Sequence, residues 1–380
     1  MRIGIVTFHG ADNYGSVLQA YALSRYLRTL GHEVDIIDYY FEHDYRQYQL
    51  FRTYRYKPHA ASFVSDLVSF APHYKRKKNF AAFRKQFLPM TPHRASTIDE
   101  LRELNDQYDG FICGSDQIWN LDCTDGVNAA FFLEFAEKGK RKVAYAPSMG
   151  SYALREEDKS AIGQSLDSFD AISVRESSMI SLLAELVPQQ KIAHVLDPTL
   201  LLTADDYRRG LTVTEKNQHY IFLYILGGTK AYAGIIEQAK RLAQQRNAAL
   251  FYIFDNNNGI FRLHGRDYSG CSPREFVSLI ASADYVLTNS FHATVFSILF
   301  HKDFTAFSRG NSSGRITELL DSLGLGERFY TKQGGLLGHM DSYEAADRAL
   351  DKQREVSRQF IRDALNGRMV RETEWMNRED

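Results

Sequence analysis

Residues 1–39 read MRIGIVTFHGADNYGSVLQAYALSRYLRTLGHEVDIIDY, and this opening decides the fold class. Ile3–Phe8 is a short apolar run of the kind that forms a strand buried on both faces. Ser16–Leu30 carries apolar residues at helical spacing and stops at Gly31, a residue suited to the left-handed turn that ends a helix. Val34–Tyr39 is again strand-like. Strand, glycine-containing loop, helix and second strand make the start of a parallel α/β unit.

The same alternation continues outward. Strands are expected at Gly110–Gly114, Lys142–Ala146 and Ala171–Val174, with helical patterns between them, giving a Rossmann-like domain over residues 1–200. The stretch Asp197-Pro198-Thr199-Leu200-Leu201-Leu202, followed by a polar run, reads as a crossing linker. A second α/β series then occupies residues 201–340. Its strands are Tyr220–Leu226, Ala249–Phe254, Tyr285–Thr288 and Phe304–Phe307; its helices are Lys230–Arg246, Pro273–Ala283 and Ala293–Phe300. Residues 341–380 form a charged helical tail, expected to pack across the domains. Two doubly wound domains face to face are a GT-B-like architecture, with a ligand cleft between the carboxyl ends of their strands.

Composition narrows the class. The 380 residues suit two domains, and a 44% hydrophobic content with 24% charged residues is that of an ordinary globular protein. A formal net charge of −1 gives no global pull towards nucleic acid, and no nucleic-acid-binding module is recognisable. Cys113, Cys123 and Cys271 make no metal-binding spacing; an odd number beside strand-like segments fits reduced thiols in a cytoplasmic protein. The first residues enter a strand without a secretory apolar region, and no apolar stretch approaches the length of a membrane span.

Four polar clusters fall where strands are expected to end. Gly10-Ala11-Asp12-Asn13-Tyr14-Gly15-Ser16 follows the first strand. Its glycines permit tight turns, and the amides opening the next helix favour an anion, with Asn13 and Ser16 adding side-chain bonds. A plain connection with Asp12 or Asn13 as the helix cap explains the same residues. Ser115-Asp116-Gln117-Ile118-Trp119-Asn120 gathers four polar groups and an indole, the mixture that recognises sugars. The alternative is a capped helix start with Trp119 in the core. Arg175 closes the strand Ala171–Val174, so its guanidinium fork is expected at the sheet edge, ready for a carboxylate or phosphate. An intramolecular pair with Glu176 or another acid competes with that reading. Last, Tyr285–Thr288 runs into Asn289-Ser290-Phe291-His292, where a histidine at a helix start can exchange a proton near neutral pH.

Two softer features remain. The loop Ser308-Arg309-Gly310-Asn311-Ser312-Ser313-Gly314-Arg315 is rich in donors and suits either an anion clamp or a solvated turn. Tyr39–Arg94 interleaves aromatic residues with Arg52, Arg55, Lys57 and the run Lys75-Arg76-Lys77-Lys78. That mixture fits peripheral contact with a membrane or a lipid-linked pyrophosphate, and equally an ordinary solvated helical face.

Taken in order, Asn13-Tyr14-Gly15-Ser16-Val17-Leu18-Gln19-Ala20, Gly114–Asn120, Ser173-Val174-Arg175-Glu176, Asp197–Leu201 and Asn289–Thr294 make the chain resemble the polysaccharide pyruvyl transferase family. The resemblance implies a GT-B-like enzyme that moves pyruvate from phosphoenolpyruvate to a sugar as a cyclic ketal, releasing phosphate, in cell-surface polysaccharide biosynthesis. It implies no cofactor and no metal, phosphoenolpyruvate being a co-substrate. By the same resemblance Arg175 holds the donor and His292 is the histidine of an Arg-x-His element at the donor site. Here the arginine of that element is Ser290, so Arg309, Arg315 or the helix amides must supply what it lacks. Asn13, Tyr14, Gly15 and Ser16 are expected on the donor as well. Ser115, Asp116, Gln117, Trp119 and Asn120 are expected on the acceptor, a saccharide that a polyprenyl diphosphate could carry at the inner face of the membrane. Two rival readings stay open: a glycosyltransferase using a nucleotide sugar, and a non-catalytic sugar- or anion-binding relative.

Overall fold

The structure is a computed structural model. It describes residues 1–41, 60–214, 216–227, 232–254, 263–308, 310, 313–330, 336 and 338–367, the side chains of 60–69 excepted. Two compact units divide the chain. The first comprises Met1–Tyr45, Phe87–Leu202 and Leu350–Asp380; the second comprises Arg46–Gln86 and Thr203–Ala349.

The first unit holds a six-stranded sheet in the order β2-β1-β3-β4-β5-β6, every pair parallel. The strands are β1 Arg2–Val6, β2 Glu33–Ile36, β3 Gly110–Cys113, β4 Arg141–Ala144, β5 Ala171–Val174 and β6 Ile192–His194. β3 and β5 are buried along their whole length, as strands covered on both faces must be. The helix Tyr14–Thr29 follows β1. Asn13 caps it, its side chain accepting from the Gly15 amide at 2.9 Å, and Gly31 leaves it at φ +84°.

In the second unit the order is β11-β10-β7-β8-β9, again all parallel. These are β7 Tyr220–Ile225, β8 Ala249–Phe254, β9 Arg266–Asp267, β10 Tyr285–Thr288 and β11 Phe304–Ala306. In such sheets ligands bind beyond the carboxyl ends of strands where the winding order reverses. The reversals fall between β1 and β3 and between β7 and β10. Segments around those points are 7–13, 114–120, 226–227 and 289–290.

The chain departs from simple sequence order at two places. A continuous first domain over 1–200 is not what forms, because residues 46–86 count with the second unit. The long helix Ala60–Phe87 is fixed there by Asn79, whose amide donates to the Gly270 carbonyl at 2.7 Å. The tail helix Glu344–Leu365 is divided: from Leu350 onward it counts with the first unit. There Arg354 and Arg358 donate to the carbonyls of Leu200 and Leu201 at 2.7 and 2.6 Å, and Ser357 accepts from the Leu196 amide. These bonds satisfy the Leu196 amide and the carbonyls of Leu200 and Leu201.

Candidate active site

At the carboxyl ends of β1 and β3 a buried glutamine organises two loops. Gln19 lies one helical turn past Ser16 and is fully buried. Its amide nitrogen donates to Thr7 Oγ1 at 2.8 Å and to the Ser16 carbonyl at 2.9 Å, while its oxygen accepts from the Ser115 amide at 3.1 Å. The loops are thereby brought together across 100 residues of sequence, and Ser16 Oγ donates to Asp116 Oδ2 at 2.6 Å. Asp116 holds φ +69°, and its other oxygen accepts from the Gln117 amide at 2.9 Å. Asn120 donates to Gln117 Oε1 at 3.0 Å. Gly150 lies against that oxygen, where a Cβ would collide with it.

Within these loops the structure separates framework from reachable groups. Trp119 is a correction: it is no sugar platform. The indole is completely buried, donates to the Phe131 carbonyl at 3.2 Å and stacks on Phe132 at 5.4 Å. Asn120 caps the short helix Leu121–Thr124 that follows, and the turn this makes carries the indole into the core. Tyr14 and Ser115 are buried too, Ser115 donating to the Ala146 carbonyl at 2.7 Å. Asn13 and Gln117 keep partial exposure.

A buried histidine paired with a half-buried aspartate at this edge escaped the sequence reading. His9 Nδ1 lies 2.9 Å from the Thr7 carbonyl oxygen and Nε2 lies 3.2 Å from Asp38 Oδ1; Arg94 donates to the other Asp38 oxygen at 3.2 Å. Burial works to raise the Asp38 carboxyl, but the bond and charge of His9, with Arg94, hold it below the usual carboxylate range. The only signal was the position of His9 and Asp38 near the ends of the first two strand-like runs.

Arg175 emerges from β5 into a carboxylate clamp rather than into the open. Its side chain is 3% exposed. Nη1 donates to Asp197 Oδ2 at 2.8 Å, and Nε lies 3.4 Å from Glu176 Oε1. Asp197 is itself held by the amide and hydroxyl of Thr199 at 3.0 and 2.6 Å, and Glu176 accepts from Ser148 Oγ at 2.5 Å. Burial would lower the guanidinium pKa, but the charges of Glu176, Asp197 and Asp116 raise it above its ordinary value. Arg175 is therefore a permanent cation. The intramolecular pairing weighed from the sequence is what forms here, with Asp197 as the nearer partner.

In the second unit, β10 delivers Asn289 and Ser290 to the reversal beside β7. Asn289 is locked to that strand's exit, accepting from the Leu226 amide at 2.8 Å and donating to its carbonyl at 2.9 Å. Ser290 caps the helix Phe291–Leu299, its hydroxyl accepting from the Ala293 amide at 3.4 Å. His292 is the second residue of that helix, half-buried, its ring edge-on to Phe291 at 5.2 Å. An arginine at 290 could not make this cap, because guanidinium has donors only. Arg315 opens the helix Gly314–Ser322 and is half-buried; Arg309 lies outside the described residues.

Fold and strand-end chemistry together define a GT-B-like α/β protein of two Rossmann-like units. Among its structural counterparts is UDP-GlcNAc 2-epimerase from Methanocaldococcus jannaschii, in complex with UDP-GlcNAc and UDP. That match has 12% identity and a TM-score of 0.51, and covers 96% of this chain and all (100%) of that one. The corresponding epimerase from Rickettsia bellii matches at 12% identity and a TM-score of 0.47, over 96% of each chain. No curated protein is significantly similar in sequence. The model of the polysaccharide pyruvyl transferase family matches residues 13–311, and the chain belongs to that family.

Proposed function

We propose that this protein transfers the pyruvyl group of phosphoenolpyruvate to two hydroxyls of a saccharide, forming a cyclic ketal and releasing phosphate. The observation that carries the reading is the family match over residues 13–311, which reaches into both units and takes in the loop after β3, Arg175 and His292. We extend the same reading to a role in building cell-surface polysaccharide, on a free or lipid-linked saccharide acceptor.

The chemistry sets the requirements. C3 of the enol gains a proton and C2 is attacked by one sugar hydroxyl; the C2–O bond to phosphate then breaks as a second hydroxyl attacks C2. Two hydroxyl protons are released. One balances the proton gained by C3, and the other leaves with the phosphate. A single group able to give and regain a proton serves both steps, and His292 is the residue we assign to it. Arg175 is assigned as the fixed cation for the anionic reactant, its orientation set by Asp197 and Glu176. Asp116, Gln117 and Asn120 are assigned to the acceptor side, where their bonds to one another and to Ser16 set the positions of their polar atoms.

Calorimetric titration tests the donor. Phosphoenolpyruvate is expected to bind saturably, whereas UDP-GlcNAc at the same concentrations is expected to give no heat beyond dilution. Saturable binding of the nucleotide sugar with none of phosphoenolpyruvate would replace this reading with a glycosyltransferase.

A further inference from the structure

We propose that the outer face of the helix Ala60–Phe87 is a docking surface for an anionic membrane. On this helix Tyr74, Lys75, Lys78, Ala81, Ala82 and Lys85 are exposed, and their spacing puts them in one stripe. The stripe runs about 16 Å along the helix from its first to its last member. The opposite side is covered: Phe80 and Phe83 are buried, and Asn79 is bonded to Gly270.

Charge on the stripe is of one sign. No aspartate or glutamate occurs between residues 67 and 98. Among the described residues no acidic side chain pairs with Lys75, Lys78 or Lys85. That contrasts with the other exposed helices, where basic residues meet acids three or four places away, as in Arg102 with Asp99, Arg208 with Asp205 and Arg348 with Glu344.

The type of residue selects the partner. The outward cations are lysines, compact point charges suited to a diffuse layer of headgroups. Of the two arginines on the helix, whose forks would read phosphates one by one, Arg76 is turned inward and lies over the Phe80 ring at 5.4 Å, and Arg84 is half-buried. Tyr74 heads the stripe with 53% of its surface exposed, the side chain most at home at a membrane–water interface. With a net charge of −1 for the whole chain there is no global attraction to an anionic surface, so a local stripe of this kind orients the protein as it lands. Among the described residues no helix is long and apolar enough to cross a membrane, so the contact is one of surface only.

Each lysine at an anionic surface contributes about a five-fold gain in partitioning, so the three together give about a hundred-fold. The test is co-sedimentation of the full chain with vesicles of phosphatidylcholine alone or mixed with phosphatidylglycerol. The wild type is expected to pellet with the mixed vesicles only, and to be released as salt is raised. The K75Q/K78Q/K85Q variant, checked for an unchanged melting temperature, is expected to lose about a hundred-fold in partitioning. Equal binding by wild type and variant, or no binding of the wild type to mixed vesicles, would overturn the proposal. So would lysine-dependent binding of a single-stranded oligonucleotide without binding to vesicles. None of these readouts depends on catalysis, so a failed transferase assay leaves this inference standing, and the reverse holds too.

Discussion

With alanine at position 292, pyruvyl transfer is expected to fall by about two to four orders of magnitude while the melting temperature barely moves. The two halves of that expectation have separate grounds. The helix that carries His292 is started by Ser290, whose hydroxyl accepts from Ala293, so the cap survives the substitution. Alanine is the better helix former by several tenths of a kcal/mol, which offsets much of a lost edge-on contact with Phe291 worth about 0.5–1.5 kcal/mol. The proton steps, by contrast, demand the imidazole. Thermal melting with steady-state kinetics separates the two effects: near-full turnover in the variant removes His292 from the reaction.

The second large effect is on stability. Arg175→Ala strips the cation from between Asp197 and Glu176, leaving two carboxylates buried without it, and is expected to cost about 3–5 kcal/mol. Asp197→Ala should be nearly as damaging, because it uncovers the buried guanidinium. Denaturant titration reads this as a lower midpoint at unchanged slope. A loss of under about 1 kcal/mol would mean that the clamp does not hold these charges as described. The consequence for function is direct. Lost activity in Arg175→Ala alone does not report donor binding; Arg175→Lys, which keeps the charge, is the better probe. Should its donor KM rise while the fold persists, the fork itself is engaged.

These two residues show how far the sequence could be read. The β1 opening was legible because one apolar run, one glycine-bearing loop and one amphipathic helix follow each other within 30 residues. His292 was legible for the same local reason, a strand giving way to a capped helix. Arg175 was legible only to its neighbour Glu176. Asp197 is 22 residues away and arrives through the intervening helix Ser178–Leu186 and β6, an edge strand of only three residues. Trp119 failed because an indole beside polar residues looks alike whether it faces solvent or core; the burial is decided by Phe131 and Phe132 arriving from a later turn. Likewise Gln19 looked like one more polar helical residue, and only the fold reveals it as the tie between two loops. Strand ends ran shorter than the apolar runs, as in β1, where Thr7 leaves the ladder to bond Ser115 and Gln19.

The central claim is pyruvyl transfer from phosphoenolpyruvate, and acceptor-dependent phosphate release tests it most directly. A panel of saccharides carrying free vicinal or 1,3-related hydroxyl pairs is incubated with the protein and phosphoenolpyruvate. The account predicts that at least one acceptor triggers phosphate release, with one acid-labile pyruvate ketal formed per phosphate, and that His292→Ala abolishes both. Phosphate released without any ketal, or a ketal formed at the wild-type rate by the His292 variant, would contradict it.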